Sequence, residues 1–168
     1  MSQERRYSFE FFPTKTEAGH EKLMTVARQL AGYNPDFFSC TYGAGGSTRD
    51  RTLNTVLQLD GDVKVPTAPH LSCVGDSKAE LRELLNTYKA NGIKRIVALR
   101  GDLPSGMGMA SGELRYANEL VEFIRAETGE HFHIEVAAYP EVHPQARSFE
   151  DDLHNFVRKA KAGADSAI

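Results

Sequence analysis

Cysteine is scarce in these 168 residues, tryptophan is absent, and neither sign of charge dominates. The two cysteines, Cys40 and Cys73, cannot build a disulfide framework and form no CxxC pair, so a reducing compartment with bystander thiols is expected. Lysine and arginine number 20 against 23 aspartate and glutamate, for a net charge of −3. This mixed balance has no basic stripe and argues against nucleic acid as a partner. No apolar run approaches the roughly 20 residues of a membrane helix, and the opening MSQERRYSFE lacks the apolar core of a signal peptide. What remains is a chain that is 40% hydrophobic and long enough to bury a core as one domain, 1–168. A cytoplasmic location and a small-molecule partner are the expectation.

Short β-type runs alternate with longer helical ones, and no linker separates them. Strands are expected to begin near Tyr7, Asp36, Val65, Ile93, Phe132 and Asp165. Helical spacing of apolar residues recurs in three stretches: Leu81, Leu84, Leu85 and Tyr88; Leu114, Ala117, Leu120, Val121 and Ile124; Phe149, Leu153, Phe156, Val157 and Ala160. Ser77 with Glu80 forms a capping-box pattern, and Gly92 and Gly163 stand where helices should stop. Alternation of strand and helix implies a parallel sheet, either doubly wound or barrel-forming. The mean spacing of the strand starts predicts about 250 residues for eight units, the usual length of a (β/α)8 barrel. The expected fold is therefore an α/β TIM barrel, truncated after its fifth β/α unit, with a complete flavodoxin-like sheet of five strands as the alternative.

Both folds place their active sites at the carboxyl ends of the strands, so the residues there carry the chemistry. The ends are polar: Glu10, Thr41 with Tyr42, His70, Arg100 with Gly101 and Asp102, then Tyr139, Glu141 and His143. Period-two alternation puts Ser8, Glu10 and Phe12 on one face of the first strand and Tyr7, Phe9 and Phe11 on the other. Aromatic neighbours leave little room for water around Glu10, which would favour its protonated form and suit it to general acid work; pairing with Arg100 or Arg6 is the structural alternative. Asp102 in RGDLP is either a presented carboxylate or a turn cap. The glycines of YGAGGSTRD allow a ligand to approach the backbone, or make a plain turn, and Ser47 or Thr48 is placed to cap the following helix. No metal site is expected. His131 and His133 flank the start of a strand and read as solvated, while His70 and His143 lack metal-ligand spacing. Asp152, Asn155, Arg158 and Lys159 form one helix face, read as solvated or as a phosphate contact.

The motifs SFEFFP (8–13), TYGAGG (41–46), RDRT (49–52), APHLSC (68–73), GIKRIVALRGDLP (92–104) and AAYPEVHP (137–144) resemble, in order and in register, the bacterial methylenetetrahydrofolate reductase family. The resemblance runs from about Tyr7 to Ile168. It implies an eightfold β/α barrel that holds FAD noncovalently and passes hydride from NADH or NADPH to 5,10-methylenetetrahydrofolate by a ping-pong route. It further implies a homo-oligomer, a tetramer when full length, and about three more β/α units beyond Ile168. Residue by residue, it implies that Glu10 is the general acid and that Asp102 is the carboxylate beside flavin and pterin. Thr41 is implied as the nicotinamide-side contact. Tyr42, Ala44, His70, Arg100, Gly101, Tyr116, Ala117, Tyr139, His143 and Ala146 are implied as flavin-binding positions. Asp152, Asn155, Arg158 and Lys159 are implied to hold the FAD ribose and pyrophosphate. Two other classes are weighed against this: a non-redox barrel lyase using Glu10 and Asp102 as acid and base, and a noncatalytic ligand-binding module.

Overall fold

A computed structural model of the chain describes residues 5–42, 46–101 and 112–168, with backbone alone at 46–49. Two units divide it, Met1–His70 and Leu71–Ile168. Asp102 and Ala44 lie outside the described residues.

The first unit holds β1 (Ser8–Phe11), α1 (Glu17–Ala31), β2 (Phe37–Cys40), α2 (Gly46–Gln58) and most of β3 (Thr67–Ser72). Thr16 starts α1 by accepting the Gly19 amide at 3.2 Å. The α2 helix begins at Gly46, so Ser47 and Thr48 fall in its first turn rather than at the expected cap. A π-helical segment, Leu59–Val63, extends α2 and stops at Lys64, whose φ of 58° is left-handed. Alternation holds in β1: Phe11 is buried, and Phe9 packs on a core of Phe11, Leu23, Met24, Ala27, Phe38, Leu59 and Val65. Every residue of β2 is buried, as befits a strand flanked on both sides in a parallel sheet.

Strand order decides between the two expected architectures. In a flavodoxin-like sheet β1 would sit between β2 and β3. Here β2 pairs in parallel with β1 and with β3, through Phe9 opposite Phe38 and Ser39 opposite Ala68. The strands follow chain order, as β/α-barrel strands do.

The second unit continues with the end of β3, α3 (Lys78–Ala90), β4 (Arg95–Leu99), α4 (Ala117–Thr128), β5 (His133–Val136), α5 (Phe149–Lys161) and β6 (Ser166–Ala167). Here too β5 pairs in parallel with both β4 and β6. The capping box is formed: Ser77 Oγ accepts the Glu80 amide at 3.3 Å, and Glu80 accepts the Ser77 amide at 2.8 Å. Gly92 and Gly163 lie just past their helices with φ of 79° and 111°. Leu114 is buried in the approach to α4 rather than in the helix itself. The α5 helix forms with its apolar residues at the expected spacing, yet no residue of that helix is buried. No helix among the described residues is long and apolar enough to cross a membrane.

Candidate active site

In the first unit the strand ends bring Glu10, Thr41 and His70 to one side. The Thr41 amide continues the β1–β2 ladder by donating to the Phe11 carbonyl at 2.9 Å, one residue past Glu10. The buried hydroxyl of Thr52, from α2, donates to the Thr41 carbonyl at 3.0 Å. Thr41 is therefore held at both its backbone polar groups.

The expectation of a desolvated Glu10 is not met: its side chain is 46% exposed. Alternation turns the aromatic rings Phe9 and Phe11 to the opposite face, so they do not shield the carboxylate. Nor is Arg6 its partner, since Arg6 is paired with Asp36. Glu10 Oε2 instead lies 3.4 Å from His70 Nε2. His70 is only 7% exposed at its side chain, and Nε2 has no hydrogen-bond partner. Burial lowers the His70 pKa from 6.5 to about 4, so the ring is neutral near pH 7. A neutral imidazole can donate a hydrogen bond to the Glu10 carboxylate or accept one from its acid form.

Both thiols are inert by environment. Burial, reinforced by the Glu10 charge, pushes Cys40 up to about 12. Burial also pushes Cys73 up to about 11.

The second unit carries a separate polar chain at the ends of β4 and β5. Arg100 donates through Nη2 to Gln145 Oε1 at 2.7 Å. The Gln145 amide donates to His143 Nδ1 at 3.1 Å, which leaves the proton of the neutral ring on Nε2. The His143 amide donates to Asp152 Oδ2 at 2.9 Å, and its ring meets Tyr139 edge-on with centroids 4.5 Å apart. Ala146 closes the same turn through its amide to the His143 carbonyl.

Lys159 reaches back from α5 to donate to the Ala137 carbonyl at 2.5 Å and lies over the Phe156 ring. Burial holds its ammonium below the usual lysine range, against the pull of Asp152. A cavity of about 230 Å³ opens beside it, lined by Tyr139, Phe149, Asp152, Leu153, Phe156 and Lys159 among others. Asn155 and Arg158 bond each other along α5 at 3.1 Å. Tyr116 and Ala117 stand at the start of α4, with Tyr116 exposed.

Among the described residues no group of three or more His, Cys, Asp or Glu is placed to hold a metal. His131 Nε2 contacts the Ile93 carbonyl at 3.1 Å, while the His133 side chain is 39% exposed, as a solvated histidine should be, and its Nε2 also contacts Ser166 Oγ at 2.6 Å. Strand pairing puts carbonyls and hydroxyls of neighbouring strands within their reach.

Three residues escaped the sequence reading: Thr52 and Gln145, placed above, and Ser72, whose hydroxyl donates to the Arg100 carbonyl at 2.9 Å. Thr52 and Ser72 lie inside the RDRT and APHLSC motifs, which is the one signal that marked them; Gln145 follows AAYPEVHP with no signal.

The methylenetetrahydrofolate reductase family model matches residues 1–168. The chain is 44% identical over 161 residues to 5,10-methylenetetrahydrofolate reductase of Escherichia coli, covering 96% of this chain and 53% of that protein. It is 40% identical over 174 residues to methylenetetrahydrofolate reductase (NADH) 1 of Zea mays, covering 96% of this chain and 29% of that one. The chain thus spans about half the length of the bacterial relative. Among solved structures, the aldolase QR15 superposes with a TM-score of 0.66 at 10% identity, over 99% of this chain and 69% of that one. Pyruvate carboxylase of Rhizobium etli superposes with a TM-score of 0.63 at 12% identity, over 96% of this chain and 15% of that one. At such identities these two speak for the fold alone. Sequential parallel strands, polar strand ends and a family match over the full length agree, and the chain belongs to the methylenetetrahydrofolate reductase family.

Proposed function

We propose that this chain is part of a barrel enzyme that reduces 5,10-methylenetetrahydrofolate to 5-methyltetrahydrofolate, using hydride from NADH or NADPH through noncovalent FAD in a ping-pong cycle. The observation that carries the reading is the juxtaposition of Glu10 with His70 at the carboxyl ends of β1 and β3, in a chain of this family. The Zea mays relative is named for NADH, which favours NADH as the donor.

The residues present fit a flavin nucleotide. His70 Nε2 is a buried polar atom in want of a partner. The cavity beside α5 combines Lys159 with the rings of Tyr139 and Phe156, a set suited to a phosphate-bearing aromatic ligand. The first turn of α5 holds Glu150, Asp151 and Asp152, so its N-terminus repels phosphate and the cations farther along must do that work.

The chemistry a bound FAD supplies is hydride relay from the nicotinamide to the one-carbon unit of the folate. Glu10 delivers the proton that opens the one-carbon bridge, from a carboxyl open enough for the folate to reach it. Neutral His70 holds a hydrogen bond toward the flavin without adding charge. Thr41, fixed by Thr52 and β1, would contact the nicotinamide, and Tyr42 and Ala44 would contact the flavin. Arg100, Gly101 and Asp102 orient flavin and pterin; Tyr116, Ala117, Tyr139, His143 and Ala146 complete the flavin contacts. Asp152, Asn155, Arg158 and Lys159 hold the ribose and pyrophosphate. The same reading carries one barrel domain, a homo-oligomer and a cytoplasmic protein.

The test is an anaerobic spectrum of the full-length gene product. A flavin absorbance that bleaches with NADH and recovers with methylenetetrahydrofolate is the expected result. Glu10→Gln should bleach as before and recover about 10²–10⁴ times more slowly. A protein that stays colourless after incubation with FAD moves the reading to a non-redox lyase. Equal loss of both half-reactions in Glu10→Gln removes Glu10 as the acid.

A further inference from the structure

We propose that Ser72 is a positioning residue for Arg100 and Gly101, and through them for flavin binding; this rests on the reading above that Arg100 contacts the flavin. The Ser72 hydroxyl donates to the Arg100 carbonyl at 2.9 Å and accepts from the Val74 amide at 3.3 Å. The same carbonyl also accepts the Val74 amide at 3.1 Å and the Cys73 thiol at 3.4 Å. Donors converging on one oxygen fix the plane of the peptide between Arg100 and Gly101.

That peptide is where the chain leaves β4 and turns. Gly101 has φ of 86°, a conformation that side chains rarely adopt. A Cβ at Gly101 would lie 1.9 Å from Ser72 Oγ, well inside any real contact. Glycine is therefore required twice, once by the backbone and once by the serine hydroxyl packed against it.

The turn in turn aims Arg100. Its Nε lies 3.3 Å from the Gly101 carbonyl and its Nη2 reaches Gln145, so rotation of the 100–101 peptide would shift the first anchor and draw the guanidinium off the second. Removing the Ser72 hydroxyl leaves the backbone bonds from Cys73 to Leu99 and from Val74 to Arg100 in place. The loss then falls on the orientation of the turn and not on strand pairing.

The experiment uses the full-length gene product stripped of flavin and titrated with FAD, with thermal unfolding of the apoprotein measured in parallel. Ser72→Ala should weaken FAD binding about five- to tenfold, the range of one lost hydrogen bond, with little change in apoprotein unfolding. Ser72→Thr, which keeps the hydroxyl, should restore wild-type affinity. Should Ser72→Ala not fold, Ser72→Cys, a weaker donor, is read by the same criteria. A double-mutant cycle adds a geometric check: Gly101→Ala should cost affinity, and adding Ser72→Ala should recover part of it, because the oxygen that the new methyl meets is gone. Unchanged FAD affinity in Ser72→Ala, loss that Thr does not restore, or strictly additive losses in the cycle would each overturn the role of Ser72. Wild-type protein that takes up no FAD would instead overturn the flavin reading of Arg100, and this proposal with it.

Discussion

His70 sits where two influences oppose each other. The Glu10 carboxylate at 3.4 Å favours an imidazolium, while burial disfavours it, and burial wins because Glu10 is itself half in water. The unfolded chain takes up a proton near pH 6.5 that the folded His70 refuses until about pH 4. Stability contributed by the neutral ring is therefore full above pH 6.5 and is lost as pH falls toward 4, by at most about 3 kcal/mol. The urea midpoint of flavin-free protein should fall across that window, and His70→Gln should flatten the fall. Parallel slopes for the two proteins would mean that His70 titrates at its ordinary value. The presence of Glu10 and His70 at strand ends was legible in the sequence, because period two and strand length fix which residues reach the rim. Their pairing was not legible, because it depends on which strands are neighbours.

Helix α4 shows the same limit at the scale of an element. Its apolar positions were readable from spacing, but that spacing gives no mark to Arg125. In the fold it is largely buried and donates to the carbonyls of Gly163 at 2.9 Å and Phe132 at 2.8 Å, while its Nη2 meets Asp165 at 2.6 Å. Asp165 in turn accepts the Ile134 amide at 2.6 Å. One side chain thus ties α4 to the start of β5 and to the turn before β6. These partners are as many as 40 residues away in sequence, beyond the reach of any local pattern. Arg125→Met keeps the aliphatic stem and removes every donor, taking the guanidinium from the Gly163 and Phe132 carbonyls and from the part-exposed Asp165 carboxylate, which keeps only the Ile134 amide. It should cost about 2 kcal/mol in urea unfolding, whereas a loss under about 1 kcal/mol would show that water replaces the guanidinium.

For the whole molecule, the repeat of strand and helix was legible because each parallel crossover needs a helix, and unit length then separated a barrel from an open sheet. What periodicity did not reveal is whether a readable apolar face is covered. The α5 helix carries such a face, with Phe149 58% and Leu153 50% exposed and Val157 exposed beside them. Apolar residues grouped at helical spacing on a surface are an association site for whatever apolar surface is at hand. For the 168-residue chain expressed by itself, the surface at hand is another copy. Sedimentation velocity should then show association that grows with protein concentration, accompanied by strong binding of an apolar dye. Leu153→Glu puts a charge in the middle of the face, between Phe149 and Val157 one turn to either side, and should shift the chain toward monomer. If Leu153→Glu leaves the association unchanged, the contact lies elsewhere, and the exposed β6 edge becomes the surface to block next.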